Sequence, residues 1–163
     1  MANDIRELKV KTNENLLKFK LIDEDGNDTG EYLKFDLEDM NCALKYQECI
    51  EQHKLNESYL RNQRLIISKQ EDHKGKKPLS SNEEKMQRVM VEYYNREIEA
   101  LDKFLGEGKT RTILRIMDRE PYLSMFEDIS IMLEPIIPEL EKSYENIKKK
   151  IVGKYKDESN ILE

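Results

Sequence analysis

The chain has 163 residues, of which 37% are hydrophobic and 38% are charged, and it contains no tryptophan. The length fits one domain, and the composition is typical of helices with large solvent-facing surfaces rather than of a compact α/β enzyme. The formal charge of −6 argues against nucleic acid and anionic membranes as general partners, because both attract basic surfaces.

We expect a protein of the cytosol. No apolar run approaches the roughly 20 residues that a membrane helix requires, and the N-terminal stretch is too polar for a secretory signal. Cys42 and Cys49 lie in one predicted helix, about 10 Å apart along its axis, so they cannot readily pair within it. We therefore predict two free thiols in a reducing compartment.

The first 38 residues are predicted to form a flexible arm (1–14) and a β-hairpin (15–38). Apolar and charged residues alternate on both sides of the acidic segment 23–30, which is rich in turn formers. That segment has the composition of a calcium loop, but strands flank it and its twelfth position is Lys34, so we interpret it as a polar turn. The alternating apolar residues are Leu17, Phe19 and Leu21 in the first strand and Leu33, Phe35 and Leu37 in the second.

A long helix is predicted to begin at Asp36 or Asp39, either of which can cap it, and to end at about Lys69. Its apolar stripe is thin, which leaves two explanations open: part of the helix packs on another subunit, or the helix is long and exposed. The loop at 70–80 is predicted to be mobile. It is basic but has no interleaved aromatic residues to stack on bases, which favours a solvated loop over a nucleic-acid contact.

The next predicted helix carries the strongest apolar stripe and should form the centre of the core. A capping box opens it, with Ser81 as the N-cap and Glu84 reaching back. The helix ends at a fixed corner, because glycine supplies the left-handed backbone that other residues resist. The residues of this structural corner are Phe104, Leu105, Gly106 and Gly108.

Three further helices are predicted after the corner. The first covers 110–117, the second has Pro121 in its first turn, and Pro138 opens the third. A polar tail occupies 156–163. The predicted fold is therefore mainly α with a small N-terminal β-hairpin (α+β), and its helical domain at 39–155 has four to five helices.

The sequence has no motif that indicates catalysis, phosphate binding or metal binding. His53 and His73 lie far apart and have no zinc-ligand spacing with the cysteines. Glu107 and Asp128 flank the corner, where capping and solvation explain them better than acid–base chemistry. We therefore predict that the protein is not an enzyme and has no catalytic residue, no metal ligand and no cofactor.

Four stretches in a fixed order resemble tail assembly chaperones of siphophages and prophages of Gram-positive bacteria. The resemblance covers roughly residues 15–155, and none of the motifs is catalytic. The stretches are GEYLKFDL at 30–37, LSSNEE at 79–84, LDKFLGEG at 101–108 and YLSMFED at 122–128.

The resemblance implies a function. Proteins of this kind bind the tape measure protein, keep it soluble and help to recruit tail tube subunits. They act in the host cell cytoplasm and are absent from the mature virion. Many are made in two lengths by a programmed ribosomal frameshift, and this chain would be the shorter product. This function implies a homo-oligomer along the client, and the net charge of −6 argues against nucleic acid and membrane as partners.

Such a chaperone needs an adaptable apolar surface for its client, and methionine-rich helical faces suit that purpose. The same side chains could instead only fill the core. Two other functions stay open: a small helical adaptor or regulator of a mobile element, and a nucleic-acid-binding module that uses Lys74, Lys76, Lys77 and the lysines of 148–150. The predicted partner-binding surface consists of Met86, Met90, Tyr93, Tyr122, Met125, Phe126 and Met132.

Overall fold

The computed structural model describes residues 4–13 and 16–161, with side chains described as far as residue 155. Its described part is mainly helical with an N-terminal two-stranded antiparallel hairpin, which confirms the predicted α+β fold. The elements in chain order are β1 (Leu16–Ile22), β2 (Asp28–Asp36), α1 (Met40–Ser68), α2 (Ser81–Leu105), α3 (Lys109–Ile116), α4 (Met125–Leu133), a 3₁₀ turn (Glu134–Ile136) and α5 (Ile137–Ile161).

The hairpin has one face on the core and one face in solvent, as its alternating sequence predicts. Leu33 and Phe35 of β2 are almost completely buried, and the Phe35 ring lies 5.1 Å from that of Phe104 on α2. In the acidic turn, Asp23 Oδ1 accepts hydrogen bonds from the backbone N–H groups of Asp25 and Asn27. This carboxylate therefore shapes the turn, in agreement with the interpretation as a polar turn.

The two long helices α1 and α2 pack against each other in opposite directions. Asp39 caps α1 by accepting from the Asn41 N–H at 2.9 Å, one of the two caps predicted. Of the thin stripe of α1, Leu44 and Ile66 are half exposed, and the buried residues face α2 and the core of the same chain. These residues are Cys49, His53, Asn56, Leu60 and Ile67.

The start of α2 lies one residue before the predicted position. Ser80, not Ser81, is the N-cap and accepts from the Glu83 N–H at 3.2 Å. Ser81 instead accepts from the backbone N–H of His73 at 2.9 Å, while Asp72 accepts from that of Asn82. These bonds fold the loop at 70–80 back onto the helix end, and the mobility of the loop stays a prediction.

The corner between α2 and α3 is formed by the predicted glycines. Gly106 has φ 112°, and Gly108, with φ 77°, is the left-handed N-cap residue immediately before α3. Asp102 of α2 caps the new helix, because its two carboxylate oxygens accept from the N–H groups of Gly108 (3.1 Å) and Thr110 (2.9 Å). One side chain of the first helix thus fixes the start of the second.

After α3 the structure departs from the prediction at Pro121. Pro121 is not in the first turn of α4, because that helix begins at Met125 with Ser124 as its N-cap residue. The loop that contains Pro121 is instead held by Tyr122, whose hydroxyl donates to Asp128 Oδ2 at 2.8 Å. At the other end of the chain, the helical backbone of α5 continues to Ile161, into the segment predicted as a polar tail.

The core lies where the hairpin, the corner and the later helices meet. Leu101 and Ile129 have at most 1% of their surface exposed, so α2 and α4 supply its centre. Its buried members are Leu33, Phe35, Cys49, Ile98, Leu101, Phe104, Leu105, Ile113, Leu114, Met125, Phe126, Ile129, Leu133, Ile136 and Leu140.

Candidate functional site

A group of polar side chains lies between α1, α2 and the start of α4. Helical spacing places His53, Asn56 and Glu57 on neighbouring positions of α1, and Tyr93 and Glu97 one turn apart on α2. We call the set of His53, Asn56, Glu57, Tyr93, Glu97 and Glu127 the His53 cluster.

The centre of the His53 cluster is the Glu97 carboxylate, which is only 1% exposed. One oxygen, Oε1, accepts from Asn56 Nδ2 at 2.7 Å, and the other lies 2.5 Å from His53 Nδ1. The Tyr93 hydroxyl is 3.5 Å from that second oxygen. A buried carboxylate is costly unless it is fully hydrogen-bonded, so these partners are what allow Glu97 to lie inside the protein.

The His53 ring is held in a fixed orientation. It stacks on Phe126 with ring centroids 3.8 Å apart and planes inclined by 2°. Its second nitrogen, Nε2, lies 2.6 Å from Glu57 Oε1 and 3.5 Å from Glu127 Oε1. Burial lowers the pKa of His53, but the hydrogen bond and charge of Glu97, together with the charges of Glu57 and Glu127, outweigh it and raise the pKa overall.

A second feature is an apolar groove between the hairpin and the helices α3 and α4. Its volume is about 380 Å³, and the hydrogen-bonded pair of Tyr122 and Asp128 forms part of its wall. Grooves of this size accept individual side chains of a bound peptide or helix. Its apolar lining includes Leu21, Ile22, Ile113, Ile116, Met117 and Met132.

The seven residues of the predicted partner-binding surface do not form one surface. Tyr93, Met125 and Phe126 are 3%, 1% and 7% exposed, so they belong to the interior and offer a partner no free area in this fold. The prediction was wrong for these three, because apolar periodicity marks a buried face without showing what buries it. Met86 and Met90 are partly buried on α2, and Tyr122 and Met132 line the groove.

The other predicted features have structural roles. Phe104 and Leu105 of the corner are buried in the core. Asp128 accepts from Tyr122, and no hydrogen bond or ion pair described for residues 4–13 and 16–155 joins it to Glu107. Both cysteines are free thiols, and burial, followed by the charge of Glu97, raises the pKa of Cys49 to about 12. Such a thiol is a poor nucleophile at neutral pH.

Sequence reasoning missed the His53 cluster, although the sequence contains a sign of it. Glu97 lies one turn after Tyr93 and one turn before Leu101, both on the buried face of α2. A carboxylate in the middle of an apolar stripe requires a partner. His53, which falls in the apolar stripe of α1, is the partner that the fold supplies.

The fold and these two features define a small α+β protein with a helical core, an internal polar cluster and an apolar groove. Comparison with protein-family models, curated proteins and solved structures found no match. Among the described residues, no helix has the length and apolar character needed to cross a bilayer.

Proposed function

We propose that this protein is a non-enzymatic tail assembly chaperone that binds the tape measure protein in the host cell cytoplasm, keeps it soluble and helps to recruit tail tube subunits. The observation that supports the proposal is the apolar groove between the hairpin and α3–α4. A tape measure protein is a long helical protein with apolar stripes that aggregate when uncovered. Side chains of one such stripe would enter the groove, in the manner of a helix that binds in an apolar groove.

The surface around the groove adds apolar area for a helical client. Ile22 of the groove lining, Leu123 next to Tyr122 in the chain and Ile131 next to Met132 on α4 are each more than half exposed. The side chains of α1 that face solvent are largely charged or polar. This combination would offer apolar area to the client and keep the complex soluble through the polar residues of α1.

The exposed face of α1 supports the homo-oligomer in this proposal. Leu44, Leu55 and Ile66 are each at least half exposed and recur every eleven residues. Eleven residues are close to three helical turns, so the three side chains lie along one line on the helix. We propose that this line packs on a second copy of the chain. Light scattering on a size-exclusion column tests it: Leu55→Glu should lower the measured mass toward that of one chain.

Co-expression with the tape measure protein of the same genome tests the function. The client should stay soluble and co-purify with the wild-type chain, and the groove variants Ile22→Lys and Met132→Lys should lose most of that solubility. Val91→Lys is the matched control, because Val91 has the same exposed fraction as Ile22, 57%, but lies on α2 outside the groove. An insoluble client that never co-purifies would overturn the proposal. A pull-down that recovers only a regulatory protein would favour the alternative function, a small helical adaptor of a mobile element.

A further inference from the structure

Three potential metal ligands meet at the solvent-facing side of the His53 cluster. His53 Nε2 and one carboxylate oxygen each from Glu57 and Glu127 lie within 4.8 Å of one another. His53 and Glu57 are one turn apart on α1, whereas Glu127 comes from the first turn of α4. The fold thus joins ligands that are 70 residues apart in the chain.

The His53 ring is held through its Nδ1 atom, as the rings of metal-ligating histidines commonly are. Nδ1 lies 2.5 Å from the buried carboxylate of Glu97, which Asn56 fixes from its other oxygen. A carboxylate at this position keeps the proton on Nδ1, so an ion would bind at Nε2 in place of the proton that pairs Nε2 with Glu57, and the same arrangement supports histidine ligands at zinc sites. Stacking on Phe126 prevents the ring from turning away.

The negative charges around the His53 ring also favour the binding of a cation. Three carboxylates, those of Glu57, Glu97 and Glu127, face one imidazole, so a negative charge remains even when the ring is protonated. Arg61 approaches only the outer oxygen of Glu57, at 3.7 Å, and the inner oxygen faces the ring. An ion bound by Nε2 and the two inner oxygens would take the place of the ring proton and reduce the repulsion between the Glu57 and Glu127 carboxylates.

We propose that His53, Glu57 and Glu127 bind one divalent transition-metal ion, with Zn²⁺ as the best-fitting ion. One imidazole and two carboxylates suit zinc, whereas Mg²⁺ and Ca²⁺ prefer oxygen ligands alone. In a tetrahedral zinc site the ligand atoms are about 3.4 Å apart, since each lies about 2.1 Å from the metal. The distance from Nε2 to Glu127 is already 3.5 Å. The distance to Glu57 is 2.6 Å, and this side chain, 39% exposed, has room to move outward.

The bound ion would connect α1 to the start of α4 and leave its fourth position to water. This role is structural and does not depend on the proposed chaperone function. Titration of the chelator-treated full chain with ZnCl₂ should show one ion bound per chain. The melting temperature should rise by about 5–10 °C when free Zn²⁺ is 100 times the dissociation constant.

The two histidines of the chain provide an internal control. In long-range ¹H–¹⁵N spectra, Zn²⁺ should shift the Nε2 resonance of His53 while its Nδ1 stays protonated, and His73, which lies in the exposed loop at 70–80, should not respond. An unchanged His53 spectrum at saturating Zn²⁺ would overturn the proposal, as would a response of both histidines at the same metal concentration.

Substitutions at the half-exposed ligands test the site without disturbing the core. Glu127→Gln and Glu57→Gln should each weaken Zn²⁺ binding by at least about tenfold. Glu48→Gln is the matched control, because Glu48 is an exposed glutamate on α1 about 13 Å along the helix from Glu57. Equal affinity in the control and in both ligand variants would overturn the proposal. Circular dichroism of each variant checks that the fold is kept.

Discussion

Two carboxylates of α2, one turn and a residue apart, stabilise the protein in different ways. Asp102 accepts from two backbone N–H groups that lie six and eight residues ahead in the chain. Glu97 accepts from side chains of another helix, 41 and 44 residues away. The Asp102 carboxylate is partly exposed and accepts from N–H groups at the start of α3 that have no helical turn before them to bond to. The Glu97 carboxylate is buried and joins α1 to α2.

The two carboxylates differ in which hydrogen-bond donors would lose their acceptor if the carboxylate were removed. Without Asp102, the N–H groups of Gly108 and Thr110 could turn to water, because the corner is at the surface. Without Glu97, the amide of Asn56 and the Nδ1 of His53 would be left in the interior, and water reaches them poorly. The loss of unfolding free energy should therefore differ several-fold between substitutions at Glu97 and at Asp102.

The largest effect is expected for Glu97→Ala. It leaves two buried polar partners unsatisfied, and removal of one member of such a buried pair costs about 3–5 kcal/mol of unfolding free energy. Urea denaturation followed by circular dichroism measures this loss. Glu92→Ala, an exposed glutamate on the same helix, should cost less than about 0.5 kcal/mol. A loss below about 1 kcal/mol for Glu97→Ala would show that water enters the cluster and satisfies its partners.

Gly108→Val should have the next largest effect. No atom lies within 4 Å of a Cβ at this position, so no clash arises. The cost comes from the backbone, since φ of 77° is a left-handed conformation that a β-branched residue resists by about 1–2 kcal/mol. The same denaturation curve measures it, with Gly75→Val in the exposed loop as the control. Unchanged stability in Gly108→Val would contradict the assigned role of this glycine in the corner.

Asp102→Ala is expected to cost less, about 1 kcal/mol, as is typical for the loss of a helix cap. The side chain is only partly buried, so water can replace the two lost acceptor contacts at the start of α3. Asp102→Asn keeps one acceptor oxygen and should recover about half of the loss. If Asp102→Ala cost as much as Glu97→Ala, the proposed contrast between surface and interior carboxylates would be wrong.

The same contrast explains how much of the fold could be predicted from the sequence. Alternation marked the strands, and glycines marked the corner, because both signals lie within a few residues. The start of α2 was misplaced by one residue because Ser80 and Ser81 are each followed by glutamate three positions later, Glu83 and Glu84. Two capping-box patterns were available, and the fold uses Ser80 as the N-cap because Ser81 bonds to the loop instead.

The site was harder to predict because its residues come together only in the folded chain. Periodicity placed Met125 and Phe126 on an apolar face but could not show that this face lies inside, against α1 and the hairpin. In the same way, nothing local connects Glu127 to His53. The groove was partly predicted through Tyr122 and Met132, and its other wall comes from strand residues that no helical pattern includes.

The smallest expected effect concerns the thiols, and it reports on the interior carboxylate without a change of fold. Burial and the nearby charge of Glu97 raise the pKa of Cys49 to about 12, so this thiol is neutral at pH 8 and should react with a disulfide reagent only when the fold opens. Cys42 is less buried, and burial raises its pKa too, so it should react first. Mass spectrometry after timed labelling separates the two cysteines.

In Glu97→Ala, labelling of Cys49 should accelerate more than that of Cys42, because lower stability increases the open fraction at the interface of α1 and α2. Equal labelling rates of the two thiols in the native protein would contradict the burial of Cys49, and an unchanged Cys49 rate in Glu97→Ala would show that the carboxylate does not hold this interface closed.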